Sequence, residues 1–183
     1  MRTKETGIEG LLIIEPEVYS DQRGYFFECY HAEKLSQLGI SHTFVQDNQS
    51  RSVKGVIRGL HFQREPYAQT KLIRVTEGCV YDVAVDIRSG SRTFGKWFGI
   101  ELSTENHLQL LIPKGFAHGF SVLSPHATIL YKCDNYYHPE SESGIRYDDP
   151  DLQIDWKVDE ASAIVSEKDR DLPYLKNLQT ESP

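Results

Sequence analysis

No stretch of this 183-residue chain approaches the ~20 consecutive apolar residues that a membrane helix needs, and Met1 to Gly7 carries no apolar signal-like segment. The expectation is a cytoplasmic protein with no membrane partner. An excess of basic residues is also lacking: 20 Lys and Arg stand against 27 Asp and Glu, a formal charge of -7. That balance argues against a nucleic-acid surface, so an anionic ligand must be met by a few local cations. Cysteine is scarce and scattered at Cys29, Cys79 and Cys133, which excludes a disulfide framework and a CxxC metal site; small core thiols are expected instead. Linkers, low-complexity tracts and internal repeats are missing too. Residues 1–183 read as one domain, long enough to bury a core without covalent staples.

What the chain does have is a succession of short apolar runs separated by Gly, Pro, Asp and Ser. Leu11–Ile14, Tyr25–Tyr30, Thr43–Val45, Val56–Phe62, Lys71–Val75, Cys79–Ile87, Trp97–Leu102, Leu108–Ile112, Phe116–Leu123 and Thr128–Cys133 read as strands. Such spacing favours a sandwich or barrel. Within Cys79–Ile87 the period of two puts Asp82 and Asp86 on one face, which must be wet or catalytic. Helical signals are few. His31–Leu38 ends at Gly39, a suitable C-terminal cap, and Ala161–Lys168 suits a short helix or turn within a C-terminal extension from about residue 148.

Two motifs carry the chemistry. One is Arg58-Gly59-Leu60-His61-Phe62-Gln63, with Lys71 and Gly78 following; the other is Pro113-Lys114-Gly115-Phe116-Ala117-His118. Their spacing resembles the two metal-binding segments of cupin barrels. Gly55 precedes His61 as in the first segment, and Pro113, Gly115 and His118 match the second, but Gln63 stands at the place of a histidine and Lys71 at that of a glutamate. An ammonium has no lone pair to donate and repels a cation, so a metal is not expected here. Taken singly, a strand histidine, lysine or aspartate is more often structural than functional. As a group, His61, His118, Lys71 and Asp82 suit a cavity that moves protons at neutral pH and contacts its substrate.

Over about Leu11 to Asp169 the chain also resembles the dTDP-4-dehydrorhamnose 3,5-epimerase family. The matching stretches are Asp21-x-Arg23-Gly24-x-Phe26-Phe27-Glu28, Phe44-Val45-Gln46-Asp47-Asn48, the Arg58–Gln63 and Asp82–Arg88 runs, Pro113-x-Gly115-Phe116-Ala117-His118-Gly119-Phe120, and Leu130-Tyr131-Lys132 leading to Tyr136-Tyr137. The resemblance implies a mainly β, cupin-like jelly-roll barrel with a few short helices. It also implies His61 as base, Tyr131 as acid and Asp169, of the Lys168-Asp169 pair, as the carboxylate that orients the base. Substrate contacts carried over in the same way are Arg23, Glu28, Gln46, Asn48, Arg58, Lys71, His118, Glu142 and Lys168. Tyr19, Phe26 and Tyr137 are candidates to stack on a nucleotide base. A homodimer is implied as well, with the N-terminal strands of about residues 1–50 exchanged between subunits so that Arg23 and Glu28 enter the partner's site.

The chemistry follows from the groups. In a dTDP-4-keto-6-deoxyhexose the hydrogens at C3 and C5 both flank the carbonyl, so removing either gives an enolate with charge on O4. Inversion then needs a base on one side of the ring and an acid on the other. Imidazole and phenol supply these at neutral pH, and Lys71 can hold the enolate charge. No metal, nicotinamide or flavin is required. Two alternatives stand beside this reading: epimerisation at C3 alone, and a sugar-nucleotide-binding cupin without catalysis.

Overall fold

In the computed structural model, which describes residues 1–178, thirteen strands follow one another along the chain. They are β1 (Arg2–Glu5), β2 (Leu12–Glu15), β3 (Tyr19–Asp21), β4 (Gly24–Phe26), β5 (Gln46–Val53), β6 (Ile57–Gln63), β7 (Lys71–Glu77), β8 (Cys79–Asp86), β9 (Trp97–Ser103), β10 (Gln109–Ile112), β11 (Phe116–Val122), β12 (His126–Cys133) and β13 (Glu142–Gly144). Short helices are α1 (Ala32–Gln37), α2 (Glu167–Arg170) and α3 (Leu175–Leu178). Residues 179–183 of the expected C-terminal extension lie outside the described residues.

A six-stranded sheet runs β1-β2-β10-β7-β12-β5, a five-stranded sheet runs β13-β6-β11-β8-β9, and β3-β4 form a separate hairpin. Pairing between the named strands is antiparallel. Ile73, Val75, Leu110, Ile112 and Ile129 of the first sheet meet Val80, Ala84, Leu102, Phe120 and Val122 of the second in one cluster, so the core lies between the sheets as in a jelly roll. Each of the larger of these side chains, once out of water, contributes ~1.5–3 kcal/mol.

The other side of the five-stranded sheet is covered as well. Val83, Val85 and Ala117 pack against Tyr147, Leu152, Ile154, Trp156 and Leu175 of the C-terminal segment. From Asp82 to Asp86 both faces of β8 are therefore dry, which corrects the expectation of a wet face. Asp82 and Asp86 do share a face, but both are 0% exposed. Asp86 instead anchors the turn after its strand: it accepts from the Arg88 amide at 3.0 Å, Arg88 Nε at 2.9 Å, Ser91 Oγ at 2.7 Å and Thr93 Oγ1 at 2.6 Å.

Helix α1 forms where expected, with His31 as its N-cap and Gly39, at φ 83°, just past its end. The strand expected at Thr43–Val45 begins instead at Gln46 and continues to Val53, while the strand expected at Tyr25–Tyr30 is confined to Gly24–Phe26. Of the three free thiols, Cys133 alone is fully buried; Cys29 and Cys79 are half-buried rather than core.

Candidate active site

Between the two sheets lies a cavity of about 430 Å³. Its walls come from opposite sheets: β6 and β11 contribute Arg58, His61 and His118, while β5, β7 and β12 contribute Gln46, Asn48, Lys71 and Tyr131. Strand pairing explains the grouping. His61 and His118 are direct cross-strand partners, as are Tyr131 and Asn48, and Cys133 is the partner of both Lys71 and Gln46.

The β6 wall depends on two glycines. A Cβ on Gly59, at φ 118°, would lie 2.6 Å from the Gly119 Cα, and one on Gly119 would lie 2.7 Å from the Arg58 carbonyl oxygen. The backbones of β6 and β11 thus meet too closely for any side chain, at the register shift that lies between His118 and Phe120.

His61 Nε2 lies 2.8 Å from Asp169 Oδ1. The carboxylate comes from α2, whose N-cap Ser166 accepts from the Asp169 amide at 3.1 Å, and its second oxygen accepts from the Gly59 amide at 3.1 Å. A neutral ring with its proton on Nε2 therefore keeps Nδ1 as its basic nitrogen. Burial alone would raise the Asp169 carboxyl, but the His61 hydrogen bond and charge, together with the Gly59 amide, hold it below the usual carboxylate value.

A second dyad stands next to the first. His118 Nε2 lies 3.0 Å from both oxygens of Asp82. Asp82 does not reach the cavity, which corrects its expected place among the substrate contacts: it sits behind His118 and orients that ring.

On the facing wall, burial pushes the Tyr131 phenol above its usual pKa, with Cys133 adding to the rise and Asn48 and Arg58 pulling against it. It remains a proton donor at neutral pH. Burial pulls the Lys71 ammonium below the usual lysine value, opposed by Cys133, Asp82 and Glu142. Burial also raises the neighbouring Cys133 thiol to about 11. At the rim, Glu142 accepts from the Tyr137 hydroxyl at 2.6 Å and from Lys168 Nζ at 2.6 Å. Arg58 donates to Ser52 at 3.0 Å. Such an arrangement can remove a proton from one side of a bound ring, return one from the other, and hold negative charge between them.

The family model for dTDP-4-dehydrorhamnose 3,5-epimerase matches residues 5–177. This chain belongs to that family. Within it, the dTDP-4-dehydrorhamnose 3,5-epimerase of Escherichia coli is 53% identical over 179 residues, covering 97% of this chain and 96% of the relative. The crystal structure of dTDP-6-deoxy-D-glucose-3,5-epimerase from Legionella pneumophila in complex with dTDP-4-keto-L-rhamnose superposes with a TM-score of 0.93 at 52% identity, covering 98% of this chain and 95% of that one. A dTDP-4-dehydrorhamnose 3-epimerase from Streptomyces niveus is 38% identical over 176 residues, 96% of this chain and 84% of the relative.

Of the residues that the epimerase resemblance nominated, His61, Tyr131, Lys71, Gln46, Asn48, Arg58, His118, Tyr137 and Glu142 all line the cavity, and Asp169 and Lys168 bond residues that do. Arg23 and Phe26 do not: they lie with Tyr19 on the exposed β3-β4 hairpin, which lines a separate surface depression. Glu28 is paired with Lys34 instead. Residues that sequence reasoning missed include Gln49, Ser50, Phe62, Gln69, Phe120 and Ile129 on the lining. Ser50 had a signal, since it continues the inward alternation of Gln46 and Asn48. Gln69 had none, as its loop position is set by a bond from Nε2 to the Asn135 carbonyl at 2.9 Å.

Proposed function

We propose that this chain is an epimerase that inverts C3 and C5 of a dTDP-4-keto-6-deoxyhexose by metal-free acid-base catalysis, working in the cytoplasm as a homodimer of one-domain subunits. The observation that carries the reading is that His61 and Tyr131 line opposite walls of one cavity, with Lys71 on the same lining. His61 takes the proton from C3 or C5 through Nδ1, and the C–H electron pair moves onto O4 as an enolate. Lys71 stabilises that oxyanion more than the neutral ketone, because a fixed cation gains most where charge develops. Tyr131 returns a proton to the opposite face of the same carbon. Asp169 holds the His61 tautomer and stabilises the imidazolium as it forms.

Binding follows from the rest of the lining. Arg58 offers a planar guanidinium to the diphosphate, Gln46, Asn48 and His118 hydrogen-bond the substrate, and the Tyr137-Glu142-Lys168 chain borders the nucleotide. Arg23 and Phe26 of the exposed hairpin, with Glu28 just after it, serve a partner subunit's cavity. Tyr19, Tyr25 and Phe26 are 57%, 59% and 67% exposed, which is the surface a second copy would cover.

The test is proton NMR of the 4-keto-6-deoxyglucose nucleotide with the enzyme in heavy water. Deuterium enters both C3 and C5 if the proposal holds. Label at C3 alone makes the protein a 3-epimerase, and no label in a protein that still binds dTDP makes it a binding module.

A further inference from the structure

Gln63 takes no part in the acid-base steps, yet it is 7% exposed and fully engaged. Its Nε2 donates to the Tyr67 carbonyl at 2.6 Å and to the Tyr136 carbonyl at 3.1 Å, and its Oε1 accepts from the His138 amide at 2.6 Å. Between those last two contacts sits Tyr137, whose own amide donates to Gln46 Oε1 at 2.9 Å. Three successive residues of one loop are thus tied by their backbone to two glutamine side chains. The side chain they carry, Tyr137, stands half-exposed on the cavity lining with its hydroxyl on Glu142, and Glu142 is the cross-strand partner of Gln63.

Only an amide has the donors and acceptor for this clamp. Histidine, which stands here in metal-binding cupins, has one donor and one acceptor when neutral and could not join the Tyr67, Tyr136 and His138 backbones at once. We propose that Gln63 is a positioning residue that acts through the 136–138 backbone to hold Tyr137 against the nucleotide, so that it governs substrate affinity and not the proton transfers. The substitution that removes a metal ligand thereby supplies the fixed edge of the nucleotide subsite. This deepens the epimerase reading and rests on it for the identity of the ligand.

The test uses Gln63→Glu, which keeps the shape but turns both donors into an acceptor facing two carbonyls, and Gln63→Met, which keeps the reach without polarity or charge. Affinity for dTDP is measured by calorimetry, and kcat and KM on the 4-keto sugar nucleotide, each in the native and the Tyr137→Ala background. Expected are a loss of about tenfold in dTDP affinity with a parallel rise in KM, a kcat within about threefold of the native enzyme, and no further loss once Tyr137 is alanine. Penalties that add in the double variants, or a fall in kcat with dTDP affinity unchanged, overturn the proposal. So does Tyr137→Ala with native dTDP affinity, a result that needs no folded Gln63 variant. A native protein that binds dTDP but turns nothing over defeats the epimerase reading instead, and leaves the dTDP arm to decide this one.

Discussion

His61 and His118 sit side by side on neighbouring strands, each with a carboxylate on Nε2, yet the two dyads are built differently. The His61 side chain is 32% exposed and its Asp169 partner arrives from a distant helix; the His118 side chain is 10% exposed and its Asp82 partner, on the adjacent strand, is 0% exposed. Asp169 gives His61 one oxygen and shares the other with the Gly59 amide, whereas Asp82 meets His118 with both. The same two residue types therefore yield one ring open to the cavity and one ring sheltered behind it, and in the proposed mechanism the first is the base and the second a substrate contact. Accessibility and the second oxygen's partner, not the identity of the pair, distinguish the two.

The largest effect that can break this contrast is at the open dyad. His61→Ala is expected to lower kcat by ~10²–10⁴ while dTDP affinity measured by calorimetry stays within a few-fold; equal loss from His118→Ala with the same retained affinity would make the two rings equivalent. Next comes the pair of carboxylates. Asp169→Asn is expected to cost ~10² or more in kcat, since it unsettles the tautomer of the base, and Asp82→Asn only about tenfold in kcat but ~1–3 kcal/mol in stability. Parallel thermal melts and turnover assays read both, and a reversed ranking would show that the buried dyad does the chemistry.

The pH profile sharpens the comparison by isolating a group outside both dyads. The proposed mechanism has Lys71 hold the enolate as an ammonium, and burial lowers its pKa. The alkaline limb of kcat is therefore expected below the ordinary lysine value of ~10.4, and Lys71→Gln, with ~10²–10³ less activity, is expected to lack it. The smallest effect is on the acid side. Asp169 and Asp86 are both held below the usual carboxylate value, so their folded pKa lies under their unfolded one. Their stabilisation is complete above pH ~4 and is lost as pH falls through the folded values. Melting temperature followed downward from pH ~6 should decline in that window, and Asp86→Asn should start lower and decline less.

Much of this contrast was open to reading before the fold was known, though unevenly. Strands β6 to β12 follow from short apolar runs because each sends side chains into a buried cluster. Strand β5 escaped detection because Gln46, Asn48 and Ser50 line the cavity instead of the core, so a cavity wall looks like a loop. The charged β1 and the polar β3 escaped for the same lack of an apolar face. At the site, the spacing of His61, His118 and Lys71 was legible from the motifs. Tyr131 and Asp169 were nominated by resemblance alone, since no local pattern marks a tyrosine across the barrel or a partner 108 residues away. Asp82 and Asp86 look identical along β8, and only packing separates the orienting carboxylate from the turn anchor.

The segment that supplies Asp169 also seals the outside of the five-stranded sheet with Trp156, Ile154 and Leu175. Cover and carboxylate are one piece of chain. Any breathing that lifts this lining from Val83 and Val85 withdraws the acid from His61 in the same movement, while the barrel strands and the facing tyrosine stay in place. Catalytic output should therefore fade before the barrel melts, which makes turnover a gauge of how firmly that flank is fastened.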